Sequence, residues 1–190
     1  MLVIAGPPGS GKSLHFPVTS LGADGFNVDL RAAAANHGSS AGIPRAVRRS
    51  VQRQCELFIE EHIAGGRSFA VETTLRTSIA ISQAANARSA GFDTTMIFVC
   101  AGSADECVHR VRLRGLAGGH SAPEAEVRSI YAASLVNLVV AVRTFERVEI
   151  YDNGVRGEAP RLVARASLGS IVTLAHESPP TWLSDTLAHA

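Results

Sequence analysis

The 190-residue chain is poor in residues that several function classes depend on. Its three cysteines, Cys55, Cys100 and Cys107, match no metal-ligand spacing, and an odd number does not complete a disulfide framework. Seven Phe, two Tyr and one Trp leave few rings for stacking on bases, and the net charge of +1 gives little attraction to a phosphate backbone. The composition therefore disfavours a nucleic-acid partner, and the free thiols indicate a reducing compartment.

Long apolar runs are also absent. No uninterrupted apolar stretch approaches the ~20 residues that span a bilayer. The apolar start at residues 1–5 lacks a basic leader and runs directly into glycine. We therefore expect no membrane partner, no signal peptide, no domain ahead of this segment and a cytoplasmic location. With 46% hydrophobic and 18% charged residues, the chain fits one domain over 1–190, with a core to about 153 and an extension from about 154.

Lysine is almost absent, because Lys12 is the only one among the 18 basic residues. It lies in Gly6-Pro-Pro-Gly-Ser-Gly-Lys-Ser13, which follows an apolar segment and precedes a helix-like one. This spacing is typical of a P-loop, whose glycines turn N–H groups towards phosphate oxygens. A slim ammonium fits such a loop better than a forked guanidinium. The motif predicts binding of ATP or GTP with Mg²⁺.

The predicted roles within the loop follow from P-loop chemistry. Lys12 reaches the β- and γ-phosphates, and the Ser13 hydroxyl joins the Mg²⁺ shell. The predicted nucleotide contacts are Gly6, Pro7, Pro8, Gly9, Ser10, Gly11, Lys12, Ser13 and Leu14.

Strand and helix patterns alternate along the rest of the chain. Strands are predicted at 2–5, 25–29, 68–71, 95–100 and 148–151, with a hairpin over 161–175. Helices are predicted to start near 12, at 44–64, 78–90, 103–114 and 123–145, and from about 181. This alternation predicts a three-layer α/β fold of the P-loop NTPase type, with a mainly parallel five-stranded sheet and a small C-terminal hairpin and helix.

Carboxylates end three of these strands, at Asp29, Glu72 and Asp152. Parallel strands present their carboxyl ends at one edge, where ligands bind. Asp29 can take the proton of an attacking hydroxyl, and the alternative is a helix N-cap or a solvated loop carboxylate. Glu72, just before Thr73, can organise Mg²⁺, also through water, or bind substrate. Its alternative is a strand-end carboxylate satisfied by the backbone.

Arginines cluster just before a glycine-rich segment at 115–122. Arg110, Arg112 and Arg114 lie on the preceding helix, and Arg110 and Arg114 share a face because they are four residues apart. On a mobile flap they can clamp a transferring phosphoryl group. The alternative is a solvated basic face, which weighs most for Arg112.

Histidine spacing does not indicate a metal site. His109 and His120 have no ligand partners at metal spacing, and we interpret His120 as a loop or substrate contact. Arg128, beyond the glycine-rich segment, is added to the predicted substrate contacts.

Together these segments resemble the zeta-toxin family of P-loop kinases, in its branch of small stand-alone proteins. The resemblance covers about residues 2 to 153, with a weaker echo around Trp182. Its Glu-Thr-Thr-Leu and Gly-Gly-His-x-x-Pro segments are more specific than the P-loop. In order, the matching segments are Gly6-Pro-Pro-Gly-Ser-Gly-Lys-Ser13, Asn27-Val-Asp29, Phe69-Ala-Val-Glu-Thr-Thr-Leu75, Arg110-Val-Arg-Leu-Arg-Gly-Leu-Ala-Gly-Gly-His120 with Pro123, Ser134-Leu-Val-Asn-Leu138, and Tyr151-Asp-Asn153.

The resemblance implies ATP-dependent phosphorylation of a sugar hydroxyl on UDP-N-acetylglucosamine. By this resemblance, Asp29 is the general base, Lys12 and Ser13 hold ATP and Mg²⁺, and Arg110 or Arg114 binds the phosphates. Glu72 and Thr73 would contact the acceptor. The expected partners are this small-molecule acceptor and an antitoxin-like protein.

The chain departs from the family pattern at two places. Ile130 precedes Tyr131 where the family usually has arginine, and the segment between the P-loop and Asp29 is shorter. Two alternatives stay open: a kinase for another nucleotide, a nucleic-acid end or an antibiotic hydroxyl, or an ATP-binding regulatory module without transfer. Ile130 favours the module, whereas Asp29, Glu72 and the arginines favour an enzyme.

Overall fold

One sheet runs through the part of the chain that the computed structural model describes, residues 1–174 and 179–188. Its spatial order is β2-β3-β1-β4-β5-β6-β7, in which the first five strands are parallel and β6 and β7 continue antiparallel from β5. The strands are β1 Leu2–Ala5, β2 Asp24–Phe26, β3 Phe69–Thr73, β4 Thr95–Cys100, β5 Arg147–Asp152, β6 Arg161–Ser167 and β7 Ser170–Leu174.

Helices connect these strands and, except for α2, begin close to the helix starts that the sequence predicts. Pro44 and Pro123 precede the two long helices, and Gly65 follows the first of them. The Ser103 hydroxyl accepts the Glu106 N–H at 3.1 Å and so caps a third helix. The helices are α1 Lys12–His15, α2 Val28–Ala34, α3 Arg45–Ala64, α4 Ile79–Ser89, α5 Ala104–Leu116, α6 Glu124–Thr144 and α7 Thr181–Ala188.

The core lies on both faces of the parallel strands. In β4, Met96, Phe98, Val99 and Cys100 have no exposed surface, although successive side chains point to opposite faces. A strand covered on both faces belongs in the centre of an α/β sheet. Burying one phenylalanine such as Phe98 contributes roughly 2–3 kcal/mol. The predicted α/β class with a mainly parallel sheet is confirmed.

Two predicted elements differ in the structure. The strand predicted over 25–29 is wrong at its end, because β2 stops at Phe26. The Asn27 side chain accepts the Leu30 N–H at 3.0 Å, and this N-cap starts α2 directly after the strand. Asp29 therefore lies in the first turn of α2, not on a strand tip. The predicted hairpin forms as β6 and β7 and extends the main sheet, while the predicted end at Ala175 lies outside the described residues.

Helix α6 has the length and composition of a membrane span, with 21 residues and a mean hydropathy of 1.4. The sequence did not predict this, because polar residues interrupt the apolar run. In the fold, Leu138, Val142 and the adjoining Phe145 are buried in the main core. Core helices of soluble proteins have the same composition, so this helix is weak evidence for a membrane.

Candidate nucleotide site

The P-loop lies between β1 and α1 and packs tightly on its neighbours. Gly6 has φ +136°, and a Cβ there would stand 2.0 Å from the Val99 carbonyl oxygen of β4. A Cβ at Gly9 would stand 2.7 Å from the Cys107 carbonyl oxygen of α5. The loop is thus shaped by its contacts with β4 and α5 in the folded chain, and glycine is required at both positions.

Lys12 is buried within this loop. It is 6% exposed, and its Nζ donates to the Pro7 carbonyl oxygen at 2.9 Å. Burial lowers its pKa, the carboxylates of Glu72 and Asp29 act in the opposite direction, and the Arg114 guanidinium lowers it further. Two carboxylates and one arginine are therefore within electrostatic reach of Lys12, as the sequence predicts for a phosphoryl-transfer site.

The carboxylate of Glu72 is held by two neighbours. The Ser13 hydroxyl donates to its Oε1 at 2.8 Å, and the Asn27 amide donates to its Oε2 at 2.9 Å. Asn27 therefore both caps α2 and orients Glu72. Asn27 lies in one of the segments that resemble the family, but the sequence pattern indicates no role for it. An asparagine directly after a strand was the signal that could have identified it.

The pair of Ser13 and Glu72 suits Mg²⁺. The ion prefers oxygen ligands, retains several waters and uses one or two carboxylates together with substrate phosphates. Among residues 1–174 and 179–188, no group of three or more His, Cys, Asp or Glu side chains could hold a metal by itself. The Ser13 hydroxyl and the Glu72 carboxylate therefore fit an ion that arrives with nucleotide phosphates.

Asp29 is exposed in the first turn of α2 and acts electrostatically on Lys12. Because Asn27 supplies the cap, the N-cap alternative for Asp29 is wrong. The Asp29 carboxylate is therefore open to solvent beside the proposed phosphate site.

Helix α6 holds the loop that follows Glu72. Asn137 Nδ2 donates to the Leu75 carbonyl oxygen at 2.9 Å, and the Ser134 hydroxyl donates to that of Thr74. Leu75 is fully buried at φ +56°, a conformation that costs about 1 kcal/mol or more for a residue with a Cβ. The Thr73 hydroxyl accepts the Leu75 N–H at 3.1 Å. The loop is therefore fixed by tertiary contacts at the point where Glu72 and Thr73 enter the site.

The two arginines predicted to grip phosphates lie in different surroundings. Arg110 is 20% exposed, and its Nε donates to Glu106 Oε1 at 2.7 Å while Nη2 donates to the Asn153 carbonyl oxygen at 2.8 Å. Arg114 is exposed and donates from Nε to the His120 carbonyl oxygen at 2.8 Å. Arg114 thus lies on the glycine-rich segment and towards Lys12, whereas Arg110 is committed to protein oxygens.

Glu106 and Asn153 are two further residues of the site that the sequence did not assign. The Arg156 guanidinium donates to both Glu106 oxygens, at 2.8 and 2.6 Å, and together with Arg110 it lowers the pKa of Glu106 to about 2. The Asn153 amide donates to the Ser10 carbonyl oxygen of the P-loop at 2.8 Å. These contacts join segments 43 to 143 residues apart, which local sequence patterns do not reveal.

Arg128 and Arg112 lie away from the P-loop contacts. Arg128 pairs with Asp105 at 2.6 Å and with Glu124 at 2.8 Å, and so bridges α5 and α6. Arg112 lines a cavity of about 290 Å³ between the same helices. Ile130, at the position where the resemblance expects arginine, is 8% exposed and packs inwards. The predicted substrate contacts of Arg128 and His120 stay predictions.

No protein-family model matches the chain, and no curated protein matches its sequence. Solved structures do resemble its fold. The structure of AvrRxo1-ORF1:-ORF2 with ATP has a TM-score of 0.70 at 14% identity, over 99% of this chain and 62% of that chain. The PezAT chromosomal toxin–antitoxin system of Streptococcus pneumoniae has 0.59 at 17% identity, over 100% and 77%. A candidate kinase of Chloroflexus aurantiacus has 0.51 at 20% identity, over 70% and 77%.

The chain has the fold of these solved structures. The resemblance predicted from the sequence is confirmed at the level of fold. Identities of 14% to 20% carry no more than the fold, because one fold hosts many reactions. The chain also spans only 62% of the length of the AvrRxo1 chain, so the activity of that longer protein is not transferred by the likeness.

Proposed function

We propose that the chain is an ATP-dependent kinase that transfers the γ-phosphoryl group to a hydroxyl of a small molecule. The observation that carries the proposal is that Glu72, Asp29 and Arg114 each act electrostatically on Lys12 in the P-loop, and that Ser13, the next residue, donates a hydrogen bond to Glu72. A buried ammonium, two carboxylates and an exposed arginine supply the charges that phosphoryl transfer needs.

Each residue has a role in this proposal. The P-loop N–H groups and Lys12 bind the phosphates, and Mg²⁺, held by Ser13 and by Glu72 directly or through water, neutralises phosphate charge when bound. Asp29 accepts the proton of the acceptor hydroxyl and orients its oxygen. Arg114 moves with the glycine-rich segment towards the γ-phosphate. Thr73, beside Glu72, contacts the acceptor.

The first candidate for the acceptor is the sugar of UDP-N-acetylglucosamine, on the strength of the zeta-toxin resemblance. The likeness to a toxin–antitoxin system and to the two-component AvrRxo1-ORF1:-ORF2 structure supports a search for an antitoxin-like partner protein. Both reactants of such a kinase occur in the cytoplasm, which is where we place it.

One observation favours a second function, an ATP-binding regulatory module that transfers nothing. Ile130 occupies the usual arginine position of α6 and is buried. Arg128 is paired with Asp105 and Glu124 and does not replace the missing charge in this arrangement. Such a module would bind ATP through the same P-loop without consuming it.

Measuring ADP formation and acceptor modification separates these functions. The protein is incubated with Mg²⁺-ATP and a panel of sugar nucleotides, nucleotides and aminoglycosides, and products are identified by mass spectrometry. A kinase gives an acceptor heavier by one phosphoryl group and an equal amount of ADP, and Lys12→Ala gives neither. Tight ATP binding with no phosphorylated product across the panel would favour the module.

A further inference from the structure

Asn153 connects α5 to the P-loop. It is 5% exposed, and its backbone N–H donates to the Cys100 carbonyl oxygen at 2.7 Å. Its own carbonyl oxygen accepts Arg110 Nη2 at 2.8 Å, and its side-chain Nδ2 donates to the Ser10 carbonyl oxygen at 2.8 Å. Arg110 thus holds the backbone that carries the amide, and the amide holds the P-loop.

The contact at Ser10 matters because a peptide unit is planar and trans. The carbonyl of Ser10 and the N–H of Gly11 belong to one such plane and point in opposite directions. A donor that fixes the Ser10 oxygen on the Asn153 side therefore turns the Gly11 N–H to the other side of the loop. P-loop N–H groups bind phosphate only when they are oriented in this way before the ligand arrives.

Gly11 shows how close this approach is. It has φ +92°, and a Cβ there would stand 2.4 Å from Asn153 Nδ2. Glu106 accepts hydrogen bonds from both Arg110 and Arg156, and so holds the Arg110 guanidinium in place beside Asn153. Among the described residues, every contact of Arg110 therefore leads to protein atoms that support the loop.

We propose that Arg110 is a positioning residue that orients the P-loop through Asn153 and does not grip the transferred phosphate. The proposal rests on the nucleotide binding that the proposed function requires, but not on transfer. Arg114, four residues further along the same face, keeps the phosphate-gripping role.

Calorimetry tests this relay, the chain of hydrogen bonds from Arg110 through Asn153 to the Ser10 carbonyl oxygen. The ligands are Mg²⁺-ATP, Mg²⁺-ADP and Mg²⁺-tripolyphosphate, and the proteins are the wild type, Arg110→Ala, Asn153→Ala and the double variant. Loss of a partly buried, charge-assisted hydrogen bond predicts about tenfold weaker binding in Arg110→Ala, equally for all three ligands. Asn153→Ala should weaken all three as well. The double variant should bind no more weakly than the worse single variant, because Arg110 acts through the Asn153 amide.

Other ligand patterns would overturn the proposal. Weaker binding of ATP and tripolyphosphate but not of ADP would show a γ-phosphate contact, and weaker binding of both nucleotides but not of tripolyphosphate would show a nucleoside contact. Additive losses in the double variant would also refute the relay. If Arg110→Ala does not fold, Arg110→Lys, which keeps the positive charge but has one nitrogen in place of the two that bond Glu106 and Asn153, must weaken binding of all three ligands. Arg112→Ala, an exposed arginine of the same helix, is the matched control and should bind like wild type.

The same titrations, together with the assay for phosphorylated acceptor, distinguish failure of this proposal from failure of the kinase proposal. Binding without phosphoryl transfer to any acceptor would refute the kinase and leave the relay standing. A wild-type protein that binds none of the three ligands would refute both.

Discussion

The phosphate side and the acceptor side of the site are built differently. On the phosphate side, Lys12 and Asn153 are nearly fully buried and bond to the P-loop backbone. On the proposed acceptor side, Asp29 is exposed. Arg114, the proposed γ-phosphate contact, is exposed as well and has a single hydrogen bond to the glycine-rich segment. A site with one prearranged half and one open half suits a constant phosphoryl donor and an acceptor whose arrival completes the geometry.

Lys12→Ala tests the phosphate side and should have the largest effect. Lys12 is the proposed contact of the β- and γ-phosphates, so turnover should fall by about 10² to 10³ or beyond detection. The fold should persist, as judged by circular dichroism and thermal unfolding, because the loop is also held by β4 and α5. Lys12→Arg is the charge-matched control and should not restore turnover, since the guanidinium is too wide. Wild-type turnover in either variant would contradict the P-loop assignment.

Asp29→Asn tests the acceptor side. It keeps the size and one oxygen acceptor but loses the charge and basicity, so acceptor phosphorylation should fall by roughly 10² or more. ATP affinity, measured by titration on the same preparation, should stay near normal. Asp24→Asn, a carboxylate at the opposite end of β2 that pairs with His62, is the matched control and should leave turnover unchanged.

The two measurements on Asp29→Asn also separate the other roles. A parallel fall in ATP affinity and transfer would indicate that Asp29 organises Mg²⁺. No change in either would make it a structural residue and direct the search for the base to Glu72.

Arg114→Ala should have an intermediate effect. Its charge meets the γ-phosphate mainly as transfer proceeds, so the transfer rate should fall by about tenfold or more while ADP affinity is nearly constant. Arg110→Ala should give the reverse, weak binding of ADP and ATP alike. Single-turnover rates and ADP titrations on both variants measure this contrast. Identical profiles would remove the distinction between the two arginines.

The sequence predicts the frame of the molecule because that frame depends on local patterns. The P-loop motif and the alternating strands and helices lead to the parallel sheet and to the edge where Lys12 and Glu72 meet. The roles of Arg110 and Arg114 do not follow from the sequence. Helical spacing places both on one face. Their roles differ because Arg110 alone contacts Asn153, which lies 43 residues further along the chain.

The error at Asp29 has a similar origin. Apolar residues up to Val28 extend the strand pattern, but Asn27 bonds to the Leu30 N–H and ends the strand earlier. Its amide also contacts Glu72, 45 residues away, so one side chain decides both the helix start and the orientation of the carboxylate. The N-cap of Asn27 and its contact with Glu72 together set the end of β2, and the alternation of apolar residues predicts neither.

The smallest effect concerns Glu106, which holds Arg110 from the side opposite Asn153. Its pKa is lowered to about 2 from 4.5, chiefly by the hydrogen bonds from Arg156, and further by Arg110. A lowered pKa means that its stabilising contribution is complete above about pH 4.5 and is lost as the pH falls towards 2. Because Arg156 is 59% exposed and screened by solvent, the contribution should be on the order of 1 kcal/mol.

Glu106→Gln should therefore be slightly less stable than wild type in urea unfolding at pH 7, and the difference should shrink between pH 4.5 and 3. Glu60→Gln, an exposed carboxylate of α3, is the matched control and should show no such difference. Glu106 contacts Arg110 but not Asn153, and in Glu106→Gln the Arg110 side chain still reaches the Asn153 carbonyl oxygen. ADP affinity should therefore fall less in Glu106→Gln than in Arg110→Ala. A stability difference that is constant with pH would show that the ion pairs contribute nothing. An ADP affinity lost as fully as in Arg110→Ala would instead place the control of the P-loop at Glu106 itself.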